Sequence, residues 1–144
     1  MVNRMQFYID GAWVDPAVMK TIPVVNPATE ERIYDVAVGS KADVDKAVAA
    51  ARRAFETFSV TTREERIELL GRIIEAYKAR AKDIALAISD EMGAPMMMAE
   101  RAQAGSGLGH LMSTLQVLKD YPFEEKVGSA VVVREPLGAV GMIT

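Results

Sequence analysis

Seven residues, Ile67, Leu70, Ile74, Tyr77, Ala81, Ile84 and Ile88, recur by threes and fours over three heptads, and few folds of 144 residues can house the helix this implies. Thr61 and Thr62 stand three residues before Glu64 and Glu65, so two registers of a capping box are open for its start. Gly93 is its expected end, because a glycine just past the last turn takes the left-handed conformation without a Cβ penalty. At about 1.5 Å per residue, a helix over 63–92 would be roughly 45 Å long. A self-contained domain of this size rarely needs such a rod. The seam is therefore expected to cross a larger body or another subunit.

The flanking segments read as shorter elements. Asp10-Gly11 between the β-prone runs of 6–14 predicts a tight hairpin, since both turn positions favour positive φ. A second pair of strands, 22–25 and 32–38, is split by Asn26-Pro27, where proline cannot continue a ladder. Ser40 and Asp43 stand close to a capping box, and Val44, Ala47, Val48, Ala51, Phe55 and Phe58 follow at helical spacing. Pro95 suits the first turn of a third helix that runs to Pro122, with Gly105, Gly107 and Gly109 interrupting its middle. A β-branched run over 129–134 and an uncharged strand-like run over 137–144 complete the chain.

Composition removes several kinds of function. A net charge of −3 without a basic patch argues against nucleic acid. No stretch approaches the ~18 continuous apolar residues of a membrane span, and the opening lacks the apolar core of a signal peptide. A cytoplasmic location is therefore expected. With no cysteine and one histidine, the chain has no thiol nucleophile, no thiolate zinc site and no two-histidine metal site.

The remaining candidates each have a plainer reading. Gly105, Gly107 and Gly109 suggest a phosphate cradle, but no strand precedes them and the spacing is not G-x-G-x-x-G, so a closely packed helix is expected. His110 lacks a titratable partner nearby in sequence and reads as packing or surface. The Met96-Met97-Met98 run is expected to fill core. The neighbouring pairs Glu64 with Glu65 and Glu124 with Glu125 read as solvated surface.

Five phrases, taken together and in order, resemble the opening of the aldehyde dehydrogenase superfamily: Tyr8-Ile9-Asp10-Gly11-Ala12-Trp13-Val14, Val25-Asn26-Pro27-Ala28-Thr29, Asp43-Val44-Asp45-Lys46-Ala47-Val48 with Ala49-Ala50-Ala51-Arg52, Glu91-Met92-Gly93-Ala94-Pro95, and Arg134-Glu135-Pro136-Leu137-Gly138-Ala139-Val140-Gly141-Met142-Ile143-Thr144. The resemblance implies an α/β fold. Residues 1–38 would form β-hairpins, 40–121 the helical part of the cofactor domain, 123–136 a β-arm used in oligomerisation, and 137–144 the first strand of the dinucleotide-binding sheet.

It further implies NAD(P)-dependent oxidation of a small-molecule aldehyde to a carboxylic acid by a homodimer or homotetramer, without metal, nucleic acid or membrane. In that family a cysteine thiolate attacks the aldehyde, the thiohemiacetal loses hydride to NAD or NADP, and the thioester is hydrolysed with help from a glutamate. The asparagine of a Pro-Trp-Asn motif helps to stabilise the oxyanion. The family places that motif directly after the phrase that here ends in Ile143-Thr144. The resemblance therefore implies an N-terminal segment with no catalytic residue in this chain, inactive by itself. Ile143 and Thr144 are the cofactor-binding residues it implies, through backbone and apolar contact. The third helix would border the substrate tunnel, where its glycines would leave room for a bulky aldehyde. Two other functions compete: a non-enzymatic protein-assembly module, and a nucleotide-binding domain built on the glycine cluster.

Overall fold

The structure is a computed structural model that describes residues 4–143. Thr144, half of the expected cofactor pair, lies outside the described residues.

Strands β1 (Phe7–Ile9) and β2 (Ala12–Val14) form the expected hairpin, with Tyr8 opposite Trp13 and their rings 5.4 Å apart, edge to face. Asp10 at φ 56 and Gly11 at φ 79 make the turn that this dipeptide favours. Strands β3 (Thr21–Val25) and β4 (Arg32–Ala37) form a second antiparallel pair. Between them the Asn26 side-chain carbonyl accepts from the amides of Ala28 at 2.8 Å and Thr29 at 3.4 Å, closing the turn around Pro27.

Helix α1 (Lys41–Phe58) starts where Ser40 and Asp43 predict. The Asp43 carboxylate accepts from the Ser40 amide and hydroxyl, and its other oxygen accepts from the Ala17 amide at 2.8 Å, tying the preceding loop to the helix. The apolar face of α1 is not closed as its periodicity suggests: Val44 is 56% exposed and Val48 40%. The first hairpin covers part of this face, and Arg53 pairs with Asp10 at 2.9 Å.

Helix α2 (Arg63–Met92) is the 30-residue rod expected from the seam. Thr62 and Glu65 win the competition for its cap: the Glu65 amide donates to the Thr62 hydroxyl at 3.2 Å, and the Thr62 amide donates to the Glu65 carboxylate at 2.7 Å. Replacing Thr62 with alanine is expected to cost about 1 kcal/mol, seen as a lower urea midpoint at unchanged m-value.

The third helix is not continuous in type. A short α3 (Met96–Met98) passes into a π-turn (Ala99–Ala104) and then into α4 (Gly105–Asp120). The irregularity therefore precedes the glycines and does not fall among them. Ala85, Ala99 and Ala104 form a buried cluster between α2 and this turn, with Ile84, Ile88, Ala94 and Met96 packed against it. Three small side chains allow the two helical backbones to approach closely.

Strands β5 (Glu124–Val127) and β6 (Ala130–Val133) form a hairpin around Gly128, whose φ is 62. The described strands thus make three separate antiparallel pairs. Residues 137–143 have no ladder partner among the described residues, and Leu137 and Met142 are almost fully exposed. A strand requires a neighbour to bond with, so strand propensity alone leaves this segment unpaired.

Candidate functional site

Ile143, the described member of the expected cofactor pair, is 98% exposed at the end of an extended apolar segment that also exposes Val140 and Met142. Such a residue fits one apolar wall of a nucleotide site. The rest of such a site is not assembled around it among the described residues.

The glycine cluster is not an anion cradle. Gly105, Gly107 and Gly109 lie within α4, whose backbone continues directly from the π-turn, so this is no free helix start with unspent amides. Gly107 has a packing reason: a Cβ there would stand 2.3 Å from the Tyr77 hydroxyl of α2 and 3.0 Å from its ring carbon. This corrects the expectation that Gly107 makes room for substrate, because the missing side chain makes room for Tyr77. Gly109 has nothing within 4 Å and remains bare. His110 is exposed on α4. Met97 and Met98 are exposed, against the expectation of core filling, whereas Met96 packs on the alanine cluster.

Two family-like phrases meet in space. Gly93 sits at φ 69, and a Cβ there would come 3.0 Å from the Pro27 ring and 3.4 Å from the Ala28 amide nitrogen. The Asn26-Pro27-Ala28 turn therefore rests on the end of α2. Nearby, the Tyr34 hydroxyl donates to Glu91, and Arg4 lies over the Tyr34 ring at 3.7 Å. Burial, reinforced by the Glu91 carboxylate, raises the Tyr34 pKa above its ordinary value.

Three arginines that pattern reasoning did not single out line a cleft of about 430 Å³ where the start of α2 meets the ends of α1 and α4. Arg63 donates to the carbonyls of Lys119 at 3.1 Å and Tyr121 at 2.6 Å. Arg66 donates to those of Ser59 at 3.1 Å and Phe58 at 3.3 Å, and to the Thr61 hydroxyl. Arg134 donates to the Pro122 carbonyl at 2.8 Å and pairs with Glu125. Helix C-terminal carbonyls carry the negative end of the helix dipole, so Arg63 caps α4 and Arg66 caps α1 from outside, while Arg134 holds the segment just past α4. Arg63 and Arg66 stand one turn apart, but Arg134 and the carbonyls of Lys119 and Tyr121 come from far along the chain, so no local pattern announces the joint. The cleft is a structural joint, its guanidiniums spent on backbone carbonyls, the Thr61 hydroxyl and Glu125.

Glu65 is held below its ordinary pKa by the Thr62 amide and hydroxyl, which fits its capping role. Among the described residues no group of three or more His, Cys, Asp or Glu could hold a metal ion, and no helix is long and apolar enough to cross a membrane.

Comparison with known proteins is consistent along the whole chain. A sequence model described as the aldehyde dehydrogenase family matches residues 13–144. A 3-succinoylsemialdehyde-pyridine dehydrogenase of a Pseudomonas species is 46% identical over 145 residues, covering 100% of this chain and 30% of that protein. Aldehyde dehydrogenase C of Pseudomonas syringae, solved as a point mutant with NAD+ and octanal, superposes with a TM-score of 0.89 at 44% identity, over 93% of this chain and 28% of that one. An aldehyde dehydrogenase of Bartonella henselae superposes at 0.85 with 38% identity, over 90% and 28%. The chain spans about three-tenths of the length of the curated relatives it matches.

Proposed function

The chain belongs to the aldehyde dehydrogenase family, and from that premise we propose that it is the leading part of an enzyme that oxidises an aldehyde to a carboxylic acid with NAD or NADP. The observation that carries this reading is the family match over residues 13–144, joined to identity of 44% with a structure that holds NAD+ and octanal. Within the enzyme this part supplies scaffold and subunit contacts. Residues 1–38 contribute the hairpins, 40–121 the helices of the cofactor domain, and 123–136 the oligomerisation arm of a homodimer or homotetramer. The exposed valines of β6 give that arm an apolar surface to cover. Residues 137–144 find their ladder partners in the remainder of the polypeptide, in the cytoplasm.

Ile143 and Thr144 would lie against the nucleotide through backbone and apolar contact, and the exposure of Ile143 leaves that face open. The nicotinamide supplies the hydride acceptor. The sulfur nucleophile is not in this chain, which has no cysteine, so the 144 residues alone should not turn over aldehyde.

The test compares the full-length protein with the 144-residue chain on a panel of aliphatic and aromatic aldehydes, following NADH or NADPH formation. The full-length protein should reduce nucleotide, and loss of one particular cysteine should lower kcat by about 1,000-fold or more. The short chain should show no signal. Turnover by the short chain, or none by the full-length protein with either nucleotide, would overturn the proposal. In the second case an intact oligomer would favour the assembly module.

A further inference from the structure

The π-turn at Ala99–Ala104 is held by contacts that lie wholly within this chain. A π-turn fits one extra residue into a helix and has poorer internal contacts than an α-turn. Where the turn passes into α4, the Tyr77 hydroxyl of α2 donates to the Ala104 carbonyl at 2.8 Å. Gly107 lets it do so, because any Cβ at that position would occupy the space of the Tyr77 oxygen. In the same turn the side-chain carbonyl of Gln103 is buried with no hydrogen-bond donor among the described residues. An unpaired buried acceptor is a standing cost of this arrangement. A strained turn and an unsatisfied amide are thus offset by one tyrosine hydroxyl and by the Ala85–Ala99–Ala104 packing.

We infer that this segment is a two-register latch: the Tyr77–Ala104 bond holds the π form, and its loss releases residues 99–104 to an α-helical register. Removing the extra residue from a turn changes the angular phase by about 100°. The release therefore turns Met96–Met98 relative to Gly105–Asp120, withdrawing Met96 from the alanine cluster and re-aiming the exposed Met97 and Met98.

The full-length polypeptide carrying Tyr77→Phe tests this, since the change removes one hydroxyl and keeps the ring. Amide hydrogen exchange over 96–109 should accelerate about three- to tenfold, the loss of one net hydrogen bond, while 63–76 and 110–120 stay unchanged. A crystal structure of the variant should show α-type bonding at 99–104. Gly107→Ala displaces the same hydroxyl, so it should accelerate the same segment and add less in the Tyr77→Phe background than alone. If Gly107→Ala does not fold, Tyr77→Phe decides by itself. Three results would overturn the latch: a retained π-turn with unchanged exchange, acceleration spread evenly over α2 and α4, or strictly additive effects of the two substitutions.

Discussion

Gly93→Val is expected to destabilise the folded protein by about 2–5 kcal/mol, the combined cost of a side chain in the left-handed region and of a forced contact in a packed joint. Both parts are visible. Gly93 closes α2 at φ 69, its amide donating to the Ser89 carbonyl at 3.0 Å. Its missing Cβ is the space in which the Pro27 ring rests. Asparagine accepts positive φ far better than valine but still carries a Cβ, so Gly93→Asn isolates the contact from the backbone strain. Urea denaturation of the full-length protein should rank the three as glycine above asparagine above valine. Pro27→Ala should recover part of the loss in Gly93→Asn, because it removes the ring the new Cβ meets. If asparagine matches glycine, the contact with Pro27 carries no weight. If valine matches asparagine, the left-handed conformation carries none.

That joint also explains which parts of this protein the sequence discloses. The ends of α2 are legible because local chemistry marks them: a hydroxyl and a carboxylate three apart at Thr62 and Glu65, and a glycine where the chain reverses. Asp10-Gly11 and Ser40 with Asp43 are signals of the same local kind. The contact between Gly93 and Pro27 is not legible, since it joins residues far apart in the chain. The π-turn escapes notice for another reason: Ala99, Glu100, Arg101, Ala102, Gln103 and Ala104 offer no apolar period whose slip would betray an extra residue. Strand β5 is hidden by its polar Glu124-Glu125-Lys126 composition and shows only through Gly128. For the candidate site, the residues at 143 and 144 come from resemblance alone. No nucleotide pocket is assembled around Ile143 among the described residues, so periodicity had nothing to act on.

Acid should loosen the start of α1. Asp43 is 4% exposed and accepts three hydrogen bonds, from the Ser40 hydroxyl, the Ser40 amide and the Ala17 amide. The Ser40 hydroxyl is the largest influence, followed by the two amides, and together they outweigh burial and hold the Asp43 pKa below its ordinary value. A carboxyl whose folded pKa lies below its unfolded value of about 3.9 stabilises the fold above that pH. The contribution falls away as pH drops through the lowered folded value. The unfolded chain binds the proton first, and stability declines with a slope of up to about one proton. Glu65 is shifted in the same direction and adds to the same limb. Asp43→Asn should therefore be less stable than the wild type at neutral pH, with faster amide exchange at Ala17, and the gap between the two should narrow on approaching pH ~3. The narrowing is the diagnostic feature, because an asparagine that merely packed badly would carry the same deficit at every pH. A deficit that stays constant between neutral and acid conditions would show that the charge on Asp43 does not hold the 15–18 loop against α1.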